Sequence, residues 1–443
     1  MDKWAFLLAR LEKSWGAAGK PRRILAAVSG GADSVALLYC LMLLRRKEEM
    51  DVYVTHVDHG LRQASQEDAA FVSDLCRAWN FPCQIERVQL SSGSEMNARE
   101  ARYAALFQNA EKNGCAALAL AHHRRDQAET VLLHLFRGSG TAGLCGMAER
   151  KNVPMKKGRD ILLWRPFVDV PPQMLRDALE QQHFIWREDE TNRQDDYLRN
   201  YLRHRVLPSV EKRIPEAEAA IARAAKVLQR EDDYFQRQTM AFLERNACTE
   251  EPCRWIAADA FWALHPALQA RVLRAVCPVE LDFESTERIL AAKPGDTVNL
   301  PGGRRLYLTG KYLHFVPDEK DAPPALFIRV LPYTGKPGDG IRLQAVPRSV
   351  WERCTLRFRE NGDWIRPLGA KGKKSLQDYW VDKKLDRPFR PYMPLLCIGQ
   401  QVIWSVGVGP GEEARVMPGD DAVLLQFEGY LPGENPFSNF EKE

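Results

Sequence analysis

The sequence predicts an α/β fold, in which a Rossmann-like parallel sheet is followed by a helical or α+β middle domain and a small β-rich C-terminal domain. Strand-like apolar runs begin near residues 24, 52, 84 and 116, and helical patterns separate them. A spacing of about 30 residues is typical of successive βαβ units, which place helices on both faces of a parallel sheet. A long helical pattern and a later region rich in Gly and Pro turns predict the other two parts.

Length and composition exclude several classes of protein. The chain has 443 residues, of which 45% are hydrophobic and 28% charged. These values fit a globular protein and exclude a collagen, a coiled coil or a disordered chain. The 10 cysteines include no C-x-x-C pair, so we expect reduced thiols in a cytoplasmic protein. No apolar run reaches the about 20 residues of a membrane span, and the N-terminus lacks a signal-peptide pattern.

Each predicted element of the first half has its own local signal. Short apolar or β-branched runs predict strands, and amphipathic spacing predicts helices. The predicted strands are residues 24–29, 52–57, 84–90 and 116–121. The predicted helices are residues 1–15, the segment after Gly31, 65–79, 96–112 and 126–137.

One long helix organises the second half. The basic segment 150–160 predicts a loop, and a helix is expected after Pro171-Pro172. The long helix at 216–247 leads into a mixture of helices and a hairpin, whose turn is predicted at Pro301-Gly302-Gly303. The predicted domains are residues 1–215, 216–320 and 325–443.

Polar residues follow three of the predicted strands. They are Ser29-Gly30-Gly31, Asp58-His59-Gly60 and His122-His123. Because ligands of parallel sheets bind beyond the carboxyl ends of the strands, these clusters are expected to share one edge and one site.

The first cluster has the features of a phosphate cradle. Glycine lets backbone N–H groups approach an anion, and a helix N-terminus adds the positive end of its dipole. Ser29 and Ser34 add hydroxyl groups, and Asp33 would suit Mg²⁺ directly or through water. The segment is not a Walker A loop, because no Gly-Lys-Ser/Thr is present. The alternative is a Gly-rich turn capped by Ser and Asp.

The second cluster contains two histidines before a predicted helix. Asp126 is expected to open that helix, with Glu129 three residues later as in a capping box. The alternative is a capped helix with solvated histidines, and His-x-x-x-Asp is only a weak zinc signal.

Both clusters resemble motifs of known families. Residues 29–34 resemble the S-G-G-x-D-S signature of the PP-loop ATP pyrophosphatases, which implies a nucleotide-binding domain. Residues 122–130 resemble the H-H-x-D-D-Q-x-E-T block of the tRNA(Ile)-lysidine synthetases. Further segments resemble the same family in the same order, and they cover nearly the whole chain. These segments are residues 57–62, 98–103, 165–166, 188–192, 199–203, 357–363, 373–376, 390–394 and 404–409.

The resemblance implies a ligase reaction on tRNA. ATP would adenylate C2 of the wobble cytidine in a tRNA(Ile) with a CAU anticodon. The amine of free L-lysine would then attack C2, which gives lysidine, AMP and pyrophosphate. The implied cofactors are ATP and Mg²⁺, and the implied source is bacterial. The oligomeric state is left open, a homodimer included.

One residue departs from the family pattern. Arg125 stands where the first Asp of the Asp-Asp-Gln sequence is usual. If that carboxylate held a metal or the lysine ammonium, Arg125 would hinder the reaction. We favour Asp126 as the working carboxylate, with Arg125 facing solvent or RNA.

Candidate roles follow for the site residues. One of the two histidines would contact the α-phosphate or accept a proton, and the sequence does not choose between them. Arg102 would neutralise charge on the transferred phosphoryl group, the alternative being a helix salt bridge. The predicted ATP-binding residues are Ser29, Gly30, Gly31, Ala32, Asp33 and Ser34. The predicted catalytic residues are Asp33, Asp126, His122, His123 and Arg102, with Asp33 and Asp126 as Mg²⁺ ligands or as acceptors of the lysine proton.

The tRNA surface is predicted from clustered positive charge, although the net charge of the whole chain is only +4. Residues 351–390 carry 11 Lys or Arg against six Asp or Glu. Such side chains would bind phosphates without reading sequence. Residues 197–207 contain three of the arginines predicted to bind tRNA. The alternative for this segment is a solvated helix face. The predicted tRNA-binding residues are Arg199, Arg203, Arg205, Lys373, Lys374 and Arg390.

Three other functions remain as alternatives. A PP-loop thiolase would need cysteine pairs or an iron–sulfur cluster, which the cysteine spacing does not favour. A PP-loop amidotransferase or small-molecule ligase would not need the extra domains. A catalytically degenerate tRNA-binding homologue would bind tRNA without releasing AMP.

Overall fold

The chain folds into two units, Met1–Tyr234 and Phe235–Glu443. A computed structural model describes residues 2–58, 64–88, 95–155, 158–187, 198–249, 254–316, 326–428 and 431. Within these ranges no helix combines the length and apolar character that a membrane span requires. The cysteines in the same ranges are free thiols.

A six-stranded sheet forms the centre of the first unit. Its strands are β1 Arg23–Ala27, β2 Asp51–Asp58, β3 Cys83–Arg87, β4 Ala117–Ala119, β5 Arg150–Pro154 and β6 Asp160–Trp164. They lie in the order β3-β2-β1-β4-β6-β5. Neighbouring strands are parallel except for the antiparallel pair β5 and β6. The predicted parallel sheet is confirmed.

Helices cover both faces of this sheet. The helices of this part of the chain are α1 Lys3–Ala17, α2 Ala32–Arg45, α3 Ala64–Ala78, α4 Glu95–Lys112, α5 Arg124–Phe136, α6 Thr141–Leu144, α7 Pro172–Gln181, α8 Leu198–Tyr201, α9 Leu207–Glu211 and α10 Ala217–Asn246, the last of which continues into the second unit. A π-helical segment, Leu202–Val206, joins α8 to α9. Ile24 and Ala26 of β1 pack in one core with α1, α2 and α7. Leu25 points to the other face, where it packs with Leu106 and Ala110 of α4.

Residues 150–160 differ from their predicted loop structure. Strand β5 occupies Arg150–Pro154 and pairs antiparallel with β6, so only 155–159 connects the two. Since β5 is an edge strand with mostly exposed side chains, it needs no apolar face, and its basic sequence gave no strand signal. Helix α5 also begins at Arg124, two residues before the predicted start.

The second unit contains a mixed α/β part and a β-rich part. In the first, strands β7 Ala247–Cys248, β8 Arg254–Ala257, β9 Thr297–Asn299, β10 Arg305–Leu308 and β11 Tyr312–Val316 form one sheet. It is accompanied by helices α11 Ala258–Trp262, α12 Pro266–Val276 and α13 Phe283–Leu290. The predicted turn is confirmed as a 3₁₀ segment, Pro301–Gly303, between β9 and β10.

Two small sheets form the β-rich part, as predicted. One contains β12 Phe327–Pro332, β13 Leu343–Pro347 and β20 Ala422–Glu428. The other contains β14 Thr355–Arg357, β15 Trp364–Ile365, β16 Lys374–Ser375, β17 Leu395–Ile398, β18 Gln401–Ser405 and β19 Gly409–Pro410. Helices α14 Arg348–Trp351 and α15 Leu376–Asp382 and the 3₁₀ segments Arg387–Tyr392 and Glu412–Ala414 connect these strands.

The strand order of the first unit creates a crevice between β1 and β4. The chain adds β2 and then β3 on one side of β1, and afterwards returns to place β4 on the other side. Such a reversal separates the loops that follow the two central strands and leaves room for a ligand. These loops carry the Ser29–Ser34 segment and the pair His122-His123.

We predict that Leu11→Ala lowers the free energy of unfolding by about 2–5 kcal/mol, the usual cost of a cavity in a packed core. Leu11 of α1 is fully buried in the core that α1 shares with β1 and α2. Urea unfolding followed by circular dichroism measures the loss. Leu135→Ala is the matched control, because this side chain is 51% exposed. Equal losses in the two variants would contradict the packing of α1.

Candidate active site

The loop after β1 turns sharply and leaves the start of α2 open. Gly30 has φ +90°, and a Cβ atom at this position would lie 3.3 Å from Cγ2 of Val72. Gly31 is the N-cap of α2, and no described side chain caps that helix. Oγ of Ser34 donates to the carbonyl of Gly31 at 2.9 Å and lies 3.2 Å from Oγ of Ser29. The first N–H groups of α2 thus remain available to an anion.

His123 is the N-cap of α5. Its Nδ1 accepts from the backbone N–H of Asp126 at 3.3 Å, and its own N–H donates to Oδ2 of Asp126 at 3.0 Å. This capping box corrects the predicted one, which used Asp126 and Glu129. The sequence misleads here because His is not among the usual N-cap residues.

The His123 ring connects two carboxylates across the crevice. Nε2 lies 3.5 Å from Oδ2 of Asp33, and Nδ1 lies 3.3 Å from Oδ2 of Asp126. Burial alone would lower the pKa of His123, but the carboxylates of Asp126 and Asp33 outweigh this effect and raise the pKa above its ordinary value. The structure therefore brings the side chains of Asp33, His123 and Asp126 together in one row.

Asp126 is held in its ionised form. Burial would raise its pKa, but the two neighbouring histidines and two arginines outweigh burial and lower the pKa to about 2. Oδ1 of Asp126 accepts from Nη2 of Arg203 at 2.8 Å, and Nη2 of Arg199 lies 3.5 Å from the same oxygen. Both carboxylate oxygens of Asp126 are thus engaged within the protein.

Glu129 is fully buried and is satisfied by the same two arginines. Nε of Arg199 donates to its Oε2 at 2.9 Å, and Nε of Arg203 donates to its Oε1 at 2.6 Å. Arg199 and Arg203 come from α8 and the π-helical segment. These guanidinium groups, which the sequence suggested as tRNA contacts, face the carboxylates of the site, and their contact with tRNA stays a prediction.

His122 lies in a strongly positive environment. Burial and the charges of Arg165, Arg102 and Arg199 lower its pKa to about 3, against the opposing effect of Asp126. Its Nδ1 is buried and has no hydrogen-bond partner among the described residues. Nε of the buried Arg165 also has no hydrogen-bond partner among the described residues. Such unpaired nitrogen atoms and positive charge favour an anionic ligand.

Arg165 is a candidate that the sequence reasoning did not assign. It follows β6 directly, so it lies at the same sheet edge as the two loops, and Nη1 donates to the carbonyl of Ala148 at 2.9 Å. Its position after a parallel strand was the available signal. That signal was lost because β6 was not recognised as a strand.

Arg125 points away from the carboxylates of the site. Its Nη2 donates to Oε2 of Glu211 at 3.0 Å, and its Nε donates to Oε1 of Glu218. Instead of facing solvent or RNA freely, Arg125 forms ion pairs with the end of α9 and the start of α10. Asp126 thus occupies the crevice without interference from its neighbour.

Of the two predicted Mg²⁺ ligands, Asp33 is the one with a carboxylate oxygen that the described residues leave open for a cation. Oδ1 of Asp33 is buried, and no described residue gives it a hydrogen bond, so this oxygen suits a cation or its bound water. Within the described ranges no cluster of three or more His, Cys, Asp or Glu residues could hold a metal. Since Mg²⁺ usually keeps several waters and binds substrate phosphates, Asp33 alone would suffice, and the ion stays a prediction.

The remaining predicted tRNA contacts are Arg205 in the first unit and Lys373, Lys374 and Arg390 in the second. Arg205 is exposed on the π-helical segment. Nζ of Lys373 lies 5.5 Å from the centre of the Trp364 ring, and Lys374 pairs with Asp382. Arg390 donates from Nη2 to the carbonyl of Leu385 at 2.9 Å. Their binding of tRNA stays a prediction.

Comparisons with known proteins agree with this architecture. Residues 7–210 match the family described as a PP-loop domain, and residues 354–426 match the TilS substrate C-terminal domain. Three similar relatives are all named tRNA(Ile)-lysidine synthase. That of Symbiobacterium thermophilum is 32% identical over 87% of this chain and 89% of its own. That of Deinococcus deserti is 33% identical over 91% and 69%, and that of Dehalococcoides mccartyi is 29% identical over 89% and 92%. The chain therefore belongs to the tRNA(Ile)-lysidine synthase family, whose members are ATP-dependent ligases with a PP-loop domain.

Proposed function

We propose that this protein ligates lysine to C2 of the wobble cytidine in a tRNA(Ile) with a CAU anticodon. The observation that carries the proposal is the convergence of two features at one crevice. The first is the open N-terminus of α2 behind Gly30-Gly31. The second is the row of side chains formed by Asp33, His123 and Asp126. The first binds phosphate, and the second stands where a base and an amine would meet.

ATP is bound through the first feature. The backbone N–H groups of the loop and the hydroxyls of Ser29 and Ser34 surround the pyrophosphate portion. The O2 atom of cytidine attacks the α-phosphorus, and pyrophosphate leaves. Negative charge that develops on the phosphoryl oxygens is stabilised by Arg102, Arg165 and Arg199, which already surround His122.

The two histidines have different roles in this proposal. His122 stays neutral because its pKa lies near 3, so it hydrogen-bonds a phosphate oxygen rather than supplying a charge. His123 links Asp33 to Asp126, and the two carboxylates raise its pKa above the ordinary value. It holds the Asp33 carboxylate in place and caps α5.

Asp33 is the carboxylate that faces the reactants. Its Oδ1 is the oxygen left unpaired by the described residues, whereas both oxygens of Asp126 are engaged by His123 and Arg203. We assign Asp33 to the lysine amine, from which a proton must leave before the amine attacks C2 and AMP departs. Asp126 orients His123 and the arginines.

Mg²⁺, when bound, would neutralise charge on the ATP phosphates, and Asp33 would hold it through one of the waters that the ion keeps. We assign residues 1–215 to ATP binding and catalysis, and 216–320 and 325–443 to tRNA. Phosphate contacts in the tRNA-binding domains come from exposed basic residues such as Lys373.

The reaction is tested by the incorporation of radiolabelled lysine into a tRNA(Ile) transcript with a CAU anticodon, in the presence of ATP and Mg²⁺. We expect incorporation that requires ATP and is absent with the methionine tRNA. Asp126→Asn should reduce incorporation about 100-fold or more, because it removes the charge that holds Arg203 and His123. The proposal fails if the parent protein binds this tRNA but incorporates no lysine.

Gly30→Ala should weaken ATP binding by at least about tenfold. A side chain at φ +90° is strained, and its Cβ would press on Val72 at 3.3 Å, so the loop must shift. Titration calorimetry with a non-hydrolysable ATP analogue measures the change. Gly19→Ala is the matched control, since Gly19 has φ +79° with no described atom within 4 Å of its Cβ position. Equal affinities in the two variants would count against the assigned loop.

His123→Asn should remove a pH-dependent part of the stability. Asn keeps the N-cap function but cannot carry the charge that pairs with Asp33 and Asp126. Because the folded pKa of His123 is raised, its stabilising effect is complete below the unfolded pKa of about 6.5 and is lost as pH rises through the folded value. The difference is measured by urea unfolding of both proteins from pH 5.5 to 9. This range brackets the ordinary histidine pKa of about 6.5. If the stability difference between the two proteins does not change with pH, His123 does not form ion pairs with Asp33 and Asp126.

A further inference from the structure

Arg125 lies in a cluster of ion pairs whose members are distant in sequence. It is paired with Glu211 at the end of α9 and Glu218 in the first turn of α10. Arg124 adds a longer pair, with Nε 3.9 Å from Oε2 of Glu218. Glu218 is only 5% exposed, so water cannot replace these partners at little cost.

Helix α5 therefore contacts the same stretch of chain through two sets of charges of opposite sign. Asp126 and Glu129 of α5 receive Arg199 and Arg203, whereas Arg125 of α5 binds glutamates that follow in the chain. We call the second set, Arg124, Arg125, Glu211 and Glu218, the α5 clasp. The clasp carries two positive and two negative charges and is balanced by itself.

A short helical rod connects the two sets. Residues 198–211 run from α8 through the π-helical segment to the end of α9 without a break. Arg203 and Glu211 are eight residues apart, which is about 12 Å along a helix. Leu202 and Leu207 of this rod are buried, at 0% and 1% exposure. A shift of the Glu211 end would thus be transmitted to Arg199 and Arg203.

Replacing Arg125 by the Asp that the family motif usually has would reverse the balance. A carboxylate at position 125 would face Glu211 and Glu218, leaving three negative charges together with Arg124 as their remaining partner in the clasp. Like charges at this distance in a half-buried setting repel strongly. In this chain the basic residue at 125 and the two glutamates therefore form a matched set.

We propose that Arg125 is a positioning residue for the ligation reaction, which holds the rod 198–211 on α5 so that Arg199 and Arg203 remain on Asp126 and Glu129. The inference rests on the proposed function for its activity measurement only. Among the described residues the side chain of Arg125 pairs with Glu211 and Glu218, and neither belongs to the loop of Ser29–Ser34. Its effect should therefore fall on kcat rather than on ATP binding.

The test compares Arg125→Asp, Glu218→Arg and the double variant with the parent protein. The double variant restores an opposite-charge pair between positions 125 and 218. Arg77→Asp is the control, because it reverses a charge in an exposed pair with Asp74 on α3. Two quantities are measured well below the melting temperature of each variant. These are the kcat and the KM for ATP of lysine incorporation, and the hydrogen exchange of backbone amides in residues 198–211.

We expect Arg125→Asp to lower kcat by about 10- to 100-fold, as for a catalytic group displaced by about 1 Å, with the KM for ATP within about twofold of the parent value. Amide exchange in 198–211 should become faster. The double variant should recover kcat to within about threefold and restore slow exchange, and Arg77→Asp should match the parent in both measurements. If Arg125→Asp does not fold, Arg125→Gln is measured by the same criteria.

Three results would overturn the inference. They are a parental kcat in Arg125→Asp, a loss of kcat without faster exchange in 198–211, and a double variant that recovers neither quantity. The exchange measurement needs no substrate. A parent protein that incorporates no lysine would therefore refute the proposed function, while the exchange data still decide whether the clasp holds the rod.

Discussion

The buried charge of Glu129 is the constraint on which the arrangement of the site depends. An ionised carboxylate with no exposure is tolerated only when partners satisfy it, and removing one partner of such a pair is costly, by about 3–5 kcal/mol. Arg199 and Arg203 supply those partners from a segment 70 residues later in the chain. The same two arginines lower the pKa of Asp126, and Arg199 also contributes to the low pKa of His122. One buried acid thus fixes the positions of the charges around the crevice.

The sheet supplies the other half of the design. Since β1 and β4 are neighbours with their connections on opposite sides, the loops after them face each other across the crevice. Each loop begins a helix, and His123 uses one ring both to cap α5 and to reach Asp33. The geometry of the reactive groups is thereby tied to rigid elements rather than to long loops, which favours precise positioning.

The sequence predicted the parts of the site that depend on local order. Ser29–Ser34 and the two histidines follow apolar strands, so topology alone brings them to one edge. The partners of Glu129 and Arg125 were not predictable in this way, because tertiary packing selects them over 70 to 93 residues. Arg199 and Arg203 are four residues apart, a spacing that puts two side chains on one face of a helix, but the spacing does not show what that face meets. Strand β5 was not predicted either, because an exposed edge strand needs no apolar pattern.

The π-helical segment Leu202–Val206 has a consequence for how this site tolerates insertions and deletions. A π-turn accommodates one residue more than an α-turn, and one residue corresponds to about 100° of rotation in an α-helix. Losing a single residue here would rotate α9 relative to α8 by about 100° and would turn Arg199 and Glu211 to different relative directions. The number of residues between Arg199 and Glu211 therefore fixes both their separation and their relative rotation about the helix axis. A segment outside the sheet is in this way as sensitive to a change in length as the strands.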